Sequence, residues 1–507
     1  APPPPPATSS PRAWLLHSQG VNEPGRLPIT RRVLLPADGS GARTFNAAAN
    51  VANSAPVVFG DGPASLSAHV SPYGDEACVA AVSSGGLSRE GRVSVSVARL
   101  NSVINGAALP DALRLTKVEN TPFSQGADCV YLGDGSGDAL FVGGSGDSAR
   151  LASYWYSTRG VTVSPPAAVP LDVAGASGGA EHVRLAAVPG TDKVLAVFGS
   201  RINGFVVAQV WNGTSWATSA TAVATDIPNE SSAAPSVACV GEGVYFADGD
   251  GARCTIVFGD IDSGSAGRVA SYVHWRERTG FGAVTVLTLD SGSASNLVTA
   301  TRVVARGAAV CGIVMDQDKR HHAFASVDGV TFTVVDHGIM ARNDKRAVGD
   351  VAFEDASGNC VAVAVDQDNG DKVMYVTWTA ASGAWSATPS AVGAVGCFDN
   401  SCGKEMRALL LRAAPNSDTV VLLGLESNNN GRIDAALWSG VAPWADIGGR
   451  SVNGEWFAAS ITKYTDGIPF DLAFVPPPPT PAPTAPPTAT PTARPTDSPA
   501  PAPSTAP

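Results

Sequence analysis

Residues 361 to 391 read VAVAVDQDNGDKVMYVTWTAASGAWSATPSA, and the fold class is decided there. Val361, Val363 and Val365 alternate along one run, and Val373, Tyr375 and Thr377 along a second. The Asp-Gln-Asp-Asn-Gly-Asp between them is turn chemistry, so the two runs predict a hairpin. A second turn at Ala381 to Gly383 leads into Trp385 and a third strand. The unit is an antiparallel meander with an aromatic anchor.

Outward from this unit, the meander recurs from residue 65 onward. Trp155, Trp211, Trp275, Trp378 and Trp438 occupy the same place in successive copies. ASVDGVTFTVV (Ala325 to Val335) and SVARLNSVINGA (Ser96 to Ala107) read as degenerate copies, with Val327 and Leu100 there. These seven anchors recur every 50 to 65 residues or so, roughly the period of a large four-stranded propeller blade. The ends supply the remainder. WFAASITKY and FDLAFV near the C-terminus match the first two strands of a unit, and RAWLLH and ITRRVLLP near the N-terminus match the last two. The expectation is an all-β β-propeller of eight four-stranded blades, with seven as the alternative, and closure by a blade shared between 12–36 and 454–475. Such closure removes exposed sheet edges. The same half-blades can instead pair between molecules, giving a strand-exchanged polymer.

Residues 37 to 64 fit neither period and read as a long connection. Residues 1 to 11 form a Pro-rich strap, 12 to 475 the propeller, and 476 to 507 a Pro/Thr/Ala-rich tail. Pro-rich segments cannot pair in a sheet and adopt polyproline II at about 3.1 Å per residue, which makes the tail a spacer on the order of 100 Å. Opening directly on APPPPP suits a processed mature chain or a fragment of a longer one.

The 507 residues are 44% apolar, enough for a core, and only 16% charged. A net charge of -11 argues against a nucleic-acid backbone as partner. No apolar run reaches the roughly 18 residues of a membrane span. Eight cysteines without a Cys-x-x-Cys pair point to disulfides rather than zinc. Cys397 and Cys402 in CFDNSC are the one close pair, and they predict a small disulfide-closed loop.

The tail, with the APPPPP start, resembles the hydroxyproline-rich, O-glycosylated segments of green algal and plant extracellular matrix glycoproteins, and also the Pro/Thr-rich stalks of secreted bacterial surface proteins. The algal resemblance implies hydroxylated, glycan-bearing prolines between Pro477 and Pro503. The candidate attachment sites are Pro477, Pro478, Thr480, Thr484, Thr488, Thr490, Thr492, Ser498 and Ser504. Asn212 and Asn229 head Asn-x-Ser/Thr triplets for N-linked glycans. Ser326-Val-Asp-Gly-Val-Thr-Phe332 is similar to the Asp-box of sialidase-like propellers, one residue shorter between Asp328 and Phe332, and WNGTSW is a looser echo. In that family the Asp-box is a structural turn. The family's arginine triad and Tyr/Glu pair have no counterpart placed on this chain.

Acids cluster in four turns: Asp134 and Asp138, Asp248 and Asp250, Asp316 and Asp318, and Asp366, Asp368 and Asp371. Oxygen ligands at alternate positions suit calcium, the one candidate cofactor, and Asp316, Asp318, Asp366, Asp368 and Asp371 are the candidate ligands. Hairpin turns demand the same residue types, for positive φ. ESNNNGRID (Glu426 to Asp434) resembles an EF-hand or dockerin loop but lacks the closing bidentate Glu, and reads as a hairpin turn. Ser401 and Lys404 match Ser-x-x-Lys without the helix that motif needs. His321 and His322 follow Asp-Lys-Arg and read as an exposed, solvated pair. No catalytic set stands out.

The functional expectation is an extracellular structural or assembly glycoprotein at the cell surface or cell wall. Its partners are copies of itself, through terminal strands or Pro-rich tails, and attached glycans. The alternatives are a secreted glycan- or protein-binding propeller on a stalk and, behind it, a glycoside hydrolase or lyase, which needs two converging carboxylates.

Overall fold

The computed structural model describes residues 13–18, 29–34, 49–50, 63–72, 76–83, 90–99, 117–122, 126–144, 151–157, 162–163, 167–169, 182–200, 205–224, 235–241, 251–261, 268–289, 298–316, 319–340, 349–393, 395, 397–399, 406–426, 432–448, 468 and 470–474. Residues 1–476 form one compact unit and 477–507 a second, which lies outside the described residues together with its candidate glycosylation sites.

The leading hairpin forms in the expected register: Val361 pairs with Thr377, Val363 with Tyr375 and Val365 with Val373. Its turn places Gly370 at φ 76° and Asp371 at φ 60°, the left-handed region that the Asn-Gly-Asp sequence accommodates. Two further short strands, Ala384–Trp385 and Ser390–Ala391, complete the meander.

All described regular structure is β, arranged in eight antiparallel sheets of four or five strands. We number the sheets as blades 1 to 8. Their inner strands are Pro63–Val70, Ala127–Tyr131, His182–Ala187, Ser236–Val240, Val298–Arg306, Gly349–Phe353, Met406–Ala413 and Phe470–Phe474. Each inner strand contacts the next, and the eighth contacts the first, so the circuit closes as a β-propeller.

Blade 8 is composite. Phe470–Phe474 pairs with Ala13–Ser18, which pairs with Ile29–Leu34, which pairs with Ala49–Asn50. The division is therefore one C-terminal strand with three N-terminal ones, where the sequence suggested two and two. FDLAF takes the inner place next to the channel, and the supposed connection 37–64 supplies the outer strand. WFAASITKY lies outside the described residues.

The tryptophan anchors lie on the third strand of their blades, and all but Trp155 pack on the blade before. Trp211 joins Val130 and Leu140 of blade 2, Trp275 joins Val197 and Val206 of blade 3, Trp378 joins Ile313 and Ala323 of blade 5, and Trp438 joins Val361 and Val363 of blade 6. The indole N–H of Trp438 donates to Glu354 Oε1 of blade 6 at 2.5 Å, and that of Trp216 to Ser153 Oγ of blade 2 at 2.9 Å. Trp155 and Val327 differ from expectation: Trp155 packs toward blade 3, and its neighbour Tyr156 is the buried aromatic against blade 1. Val327 is 56% exposed, and the aromatic packing there comes from Phe332, edge-on to both Tyr272 and Phe324. Leu100 lies outside the described residues.

Because each sheet is clasped between two others, its middle strands are buried on both faces. Cys360–Asp366 and Thr419–Glu426 are buried at every residue. This overturns the solvated reading of the histidine pair: His321 and His322 lie on the third strand of blade 5, Arg320–Ser326, at 4% and 0% exposure. The packing predicts a sharp contrast. Trp378→Ala should cost about 3–5 kcal/mol, while Val327→Ala at the corresponding place should stay within about 0.5 kcal/mol of the parent in denaturant unfolding.

Candidate functional site

Inner strands in a ring splay apart, so they cannot pair with each other as a continuous sheet, and the N–H groups facing the gap need other acceptors. Side chains of every second blade supply them. Asp128 Oδ2 accepts from Leu185 N at 2.8 Å and Ser236 Oγ from Val303 N at 3.0 Å. Asp350 Oδ2 accepts from Leu411 N at 2.7 Å and Asp471 Oδ2 from Ala68 N at 3.0 Å. Blades 2, 4, 6 and 8 thus carry acceptors, and blades 1, 3, 5 and 7 offer N–H groups.

The N–H-offering blades place Ser67, Arg184, Arg302 and Arg412 toward the same axis. Each arginine donates to the carbonyl just before it: Arg184 to Val183 at 3.0 Å, Arg302 to Thr301 at 2.8 Å and Arg412 to Leu411 at 2.9 Å. Together the eight blades enclose an axial cavity of ≈ 520 Å³.

Charge is unevenly spread around this cavity. Arg412 spans two acids, with Nη2 at 2.8 Å from Asp471 Oδ1 and Nη1 at 3.7 Å from Asp350 Oδ2. Burial works against its charge, but Asp471 and Asp350 outweigh that and its pKa is raised. Burial pushes the Asp350 carboxyl up, against the pull of Arg412 and Arg302. Ser67 Oγ donates to Asp128 Oδ1 at 2.5 Å. Across the cavity, Arg302 Nε stands 4.0 Å from Asp350 Oδ1, and Arg184 has no carboxylate partner among the described residues. The arc Arg184, Ser236, Arg302 is the cationic side, facing the three aspartates.

None of these residues was singled out from the sequence, although a signal exists. Asp128-Cys-Val-Tyr, Ser236-Val-Ala-Cys, Asp350-Val-Ala-Phe and Asp471-Leu-Ala-Phe are four copies of one tetrad, spaced by two blades rather than one.

The residues that the sequence did nominate serve other places. Asp316 is fully buried and accepts from Arg320 N at 2.9 Å and from His322 Nε2 at 3.1 Å. Asp366 Oδ1 accepts from Asp368 N at 3.1 Å and its Oδ2 from Asn369 Nδ2 at 2.5 Å, an Asx cap on the hairpin turn. Asp368 is exposed, Asp371 sits at the turn's positive-φ position, and Asp318 lies outside the described residues. Among those of these acids that are described, no three bring ligand atoms within 4.8 Å of one another. Among the described residues, the one group with metal-like spacing is Cys397, Glu426 and Asp434, all buried, with ligand atoms within 4.8 Å of one another. The sulfur there is committed to a disulfide, and Cys402 lies outside the described residues. Two further bridges join Cys78 to Cys129 and Cys239 to Cys254.

The Asp-box-like turn is structural. Asp328 Oδ1 accepts from Ser326 Oγ at 2.7 Å, Val330 N at 2.8 Å and Thr331 N at 2.9 Å. Asn212 caps the equivalent turn of blade 3 by accepting from Thr214 N at 3.1 Å and Ser215 N at 2.8 Å, and the residue is exposed. Asn229 lies outside the described residues. No helix among the described residues is long and apolar enough to cross a membrane.

No protein-family model matches the chain, and no curated protein matches it. Solved structures similar to it are propellers. The BP39L lectin from Burkholderia pseudomallei is 12% identical, with a TM-score of 0.49 over 76% of this chain and 99% of that one. Apo AztD from Citrobacter koseri is 11% identical, with a TM-score of 0.42 over 92% and 98%. The β-propeller domain of the Trilobed protease from Pyrococcus furiosus is 10% identical, with a TM-score of 0.38 over 76% and 97%. At these identities the likeness is one of fold alone.

His321 gives the interior a pH dependence. Burial lowers its pKa from 6.5 to about 4, His322 acts in the same direction, and Asp316, Asp366 and Asp336 oppose. A group whose folded pKa is depressed binds its proton more readily when unfolded, so its stabilising contribution is complete above pH 6.5 and falls as pH drops toward 4. The full loss is about 3 kcal/mol. Denaturant unfolding followed between pH 7 and 5 should show this decline, and His321→Leu should flatten it.

Proposed function

We propose that this chain is an extracellular propeller that binds, and does not cleave, a small carboxylate-bearing carbohydrate such as a uronic acid in its axial cavity. The observation that carries this reading is the division of labour among the channel charges. Asp128, Asp350 and Asp471 are each committed to a backbone N–H of the next blade and Asp355 to Arg306 and Asn416 N, so among the described residues lining the cavity no carboxylate pair is free for acid–base work. Among the described residues Arg184 has no acid partner, and its planar fork of donors matches a carboxylate. Leu185 and Val237 beside it offer apolar surface to a sugar face, and the Ser236 hydroxyl can donate to a ring hydroxyl. Disulfides fit an oxidising compartment, and the Pro-rich segments serve as stalks. The overall charge of -11 does not oppose this, because recognition is set by the local cationic arc.

Calorimetric titration tests the reading. Glucuronate or galacturonate should bind where glucose and galactose do not, and Arg184→Ala should weaken binding roughly 10- to 100-fold, the worth of charge-assisted hydrogen bonds. Equal binding of neutral sugars, or an Arg184→Ala variant that binds as the parent does, would overturn it.

One observation favours a second reading, a subunit of a fibre or matrix. Blade 8 receives one strand, Phe470–Phe474, from the C-terminal side, and the same pairing with Ala13–Ser18 can be made by a strand from a second copy. Light scattering distinguishes a monomer closed on itself from such chains of copies.

A further inference from the structure

Cys311 lies on the second strand of blade 5, Ala309–Asp316, and Cys360 opens the second strand of blade 6, Cys360–Asp366. Both are thiols in this structure, and both are fully buried. They share one core cluster between the two blades, walled by Phe353, Val376 and Trp378. The strands that carry them touch across the blade interface, which brings the two buried thiols into one neighbourhood. The Cys78–Cys129 bridge already joins two neighbouring blades, from the second strand of blade 1 to the inner strand of blade 2, over a separation of 51 residues. The Cys311–Cys360 separation of 49 is nearly the same.

We propose that Cys311 and Cys360 are the two halves of a further interblade disulfide, closed by oxidation and holding blade 5 to blade 6. The chemistry is thiol–disulfide exchange with a small-molecule disulfide. One thiol loses its proton and attacks the oxidant, forming a mixed disulfide and releasing one small thiol. The second then attacks the mixed disulfide, the new S–S bond forms, and a second small thiol leaves. Two protein thiols and one oxidant disulfide become one protein disulfide and two small thiols. The exchange must precede packing of the interface, because burial holds the Cys360 thiol protonated in the closed core. Oxidation therefore belongs to the folding reaction.

The experiment is refolding of the reduced, denatured chain in a buffer of reduced and oxidised glutathione, followed by alkylation under denaturing conditions and peptide mass spectrometry. The expected result is a peptide linked through Cys311 and Cys360 and no alkylation at either. Alkylation at both positions in protein whose Cys78–Cys129 bridge has formed would overturn the proposal. A second measurement uses Cys311→Ala, Cys360→Ala and the double variant. If both cysteines serve one crosslink, the double variant melts no lower than the more damaging single one. Additive losses from the two singles would mean independent packing and would equally overturn it.

Discussion

The interior of this ring depends on a backbone problem. Eight inner strands converge on an axis without pairing, and an N–H left buried and unpaired costs on the order of 1–3 kcal/mol. The chain solves this with Asp128, Ser236, Asp350 and Asp471, each reaching to the next blade. Three of the four are carboxylates, which bring negative charge into a low-dielectric space and oblige cations to follow. Arg412 and Arg302 answer Asp350 and Asp471. Among the described residues lining the cavity, Arg184 is the arginine without a carboxylate partner, and there the structural accounting does not close locally.

Away from these inner-strand gaps, blades are held by different means. Between blades, single polar ties sit among apolar contacts: Tyr156 to Glu76, Lys193 to Glu277, Arg306 to Asp355 and Trp438 to Glu354. Each joins one blade to its immediate neighbour. The part-exposed ion pairs Lys193–Glu277 and Arg306–Asp355 contribute little, whereas the buried aromatic residues bring large apolar areas to the same interfaces. Cohesion at the periphery is therefore mainly hydrophobic, and at the axis mainly hydrogen-bonded.

What the sequence disclosed follows from this difference. The alternating valines of 361–377 and the tryptophans on third strands carry strong period-2 and one-per-blade signals, and both correspond to what forms. The channel tetrads repeat every two blades and vary between Asp and Ser, so a search tuned to one blade passes over them. The pair His321 and His322 follows charged residues and reads as surface, yet burial on both faces of a clasped sheet is a property of neighbouring blades that no local pattern reports. The division of blade 8 was obscured because Ala49–Asn50 is a two-residue strand in an Ala- and Asn-rich stretch. Phe470–Phe474, by contrast, carries the same Asp-Φ-Ala-Phe tetrad as blade 6, which identifies it as an inner strand.

The alternation of acceptor-bearing and N–H-offering inner strands also limits how such a ring can change size. Insert or remove one blade, and two strands of the same kind become neighbours. Either two carboxylates then crowd one gap or an N–H group faces no acceptor. A ring built on this rule is frustrated at any odd number and closes without conflict only at even ones. Growth or loss by gene duplication would therefore proceed in steps of two blades, with the tetrad-bearing blade and its partner as the inherited unit.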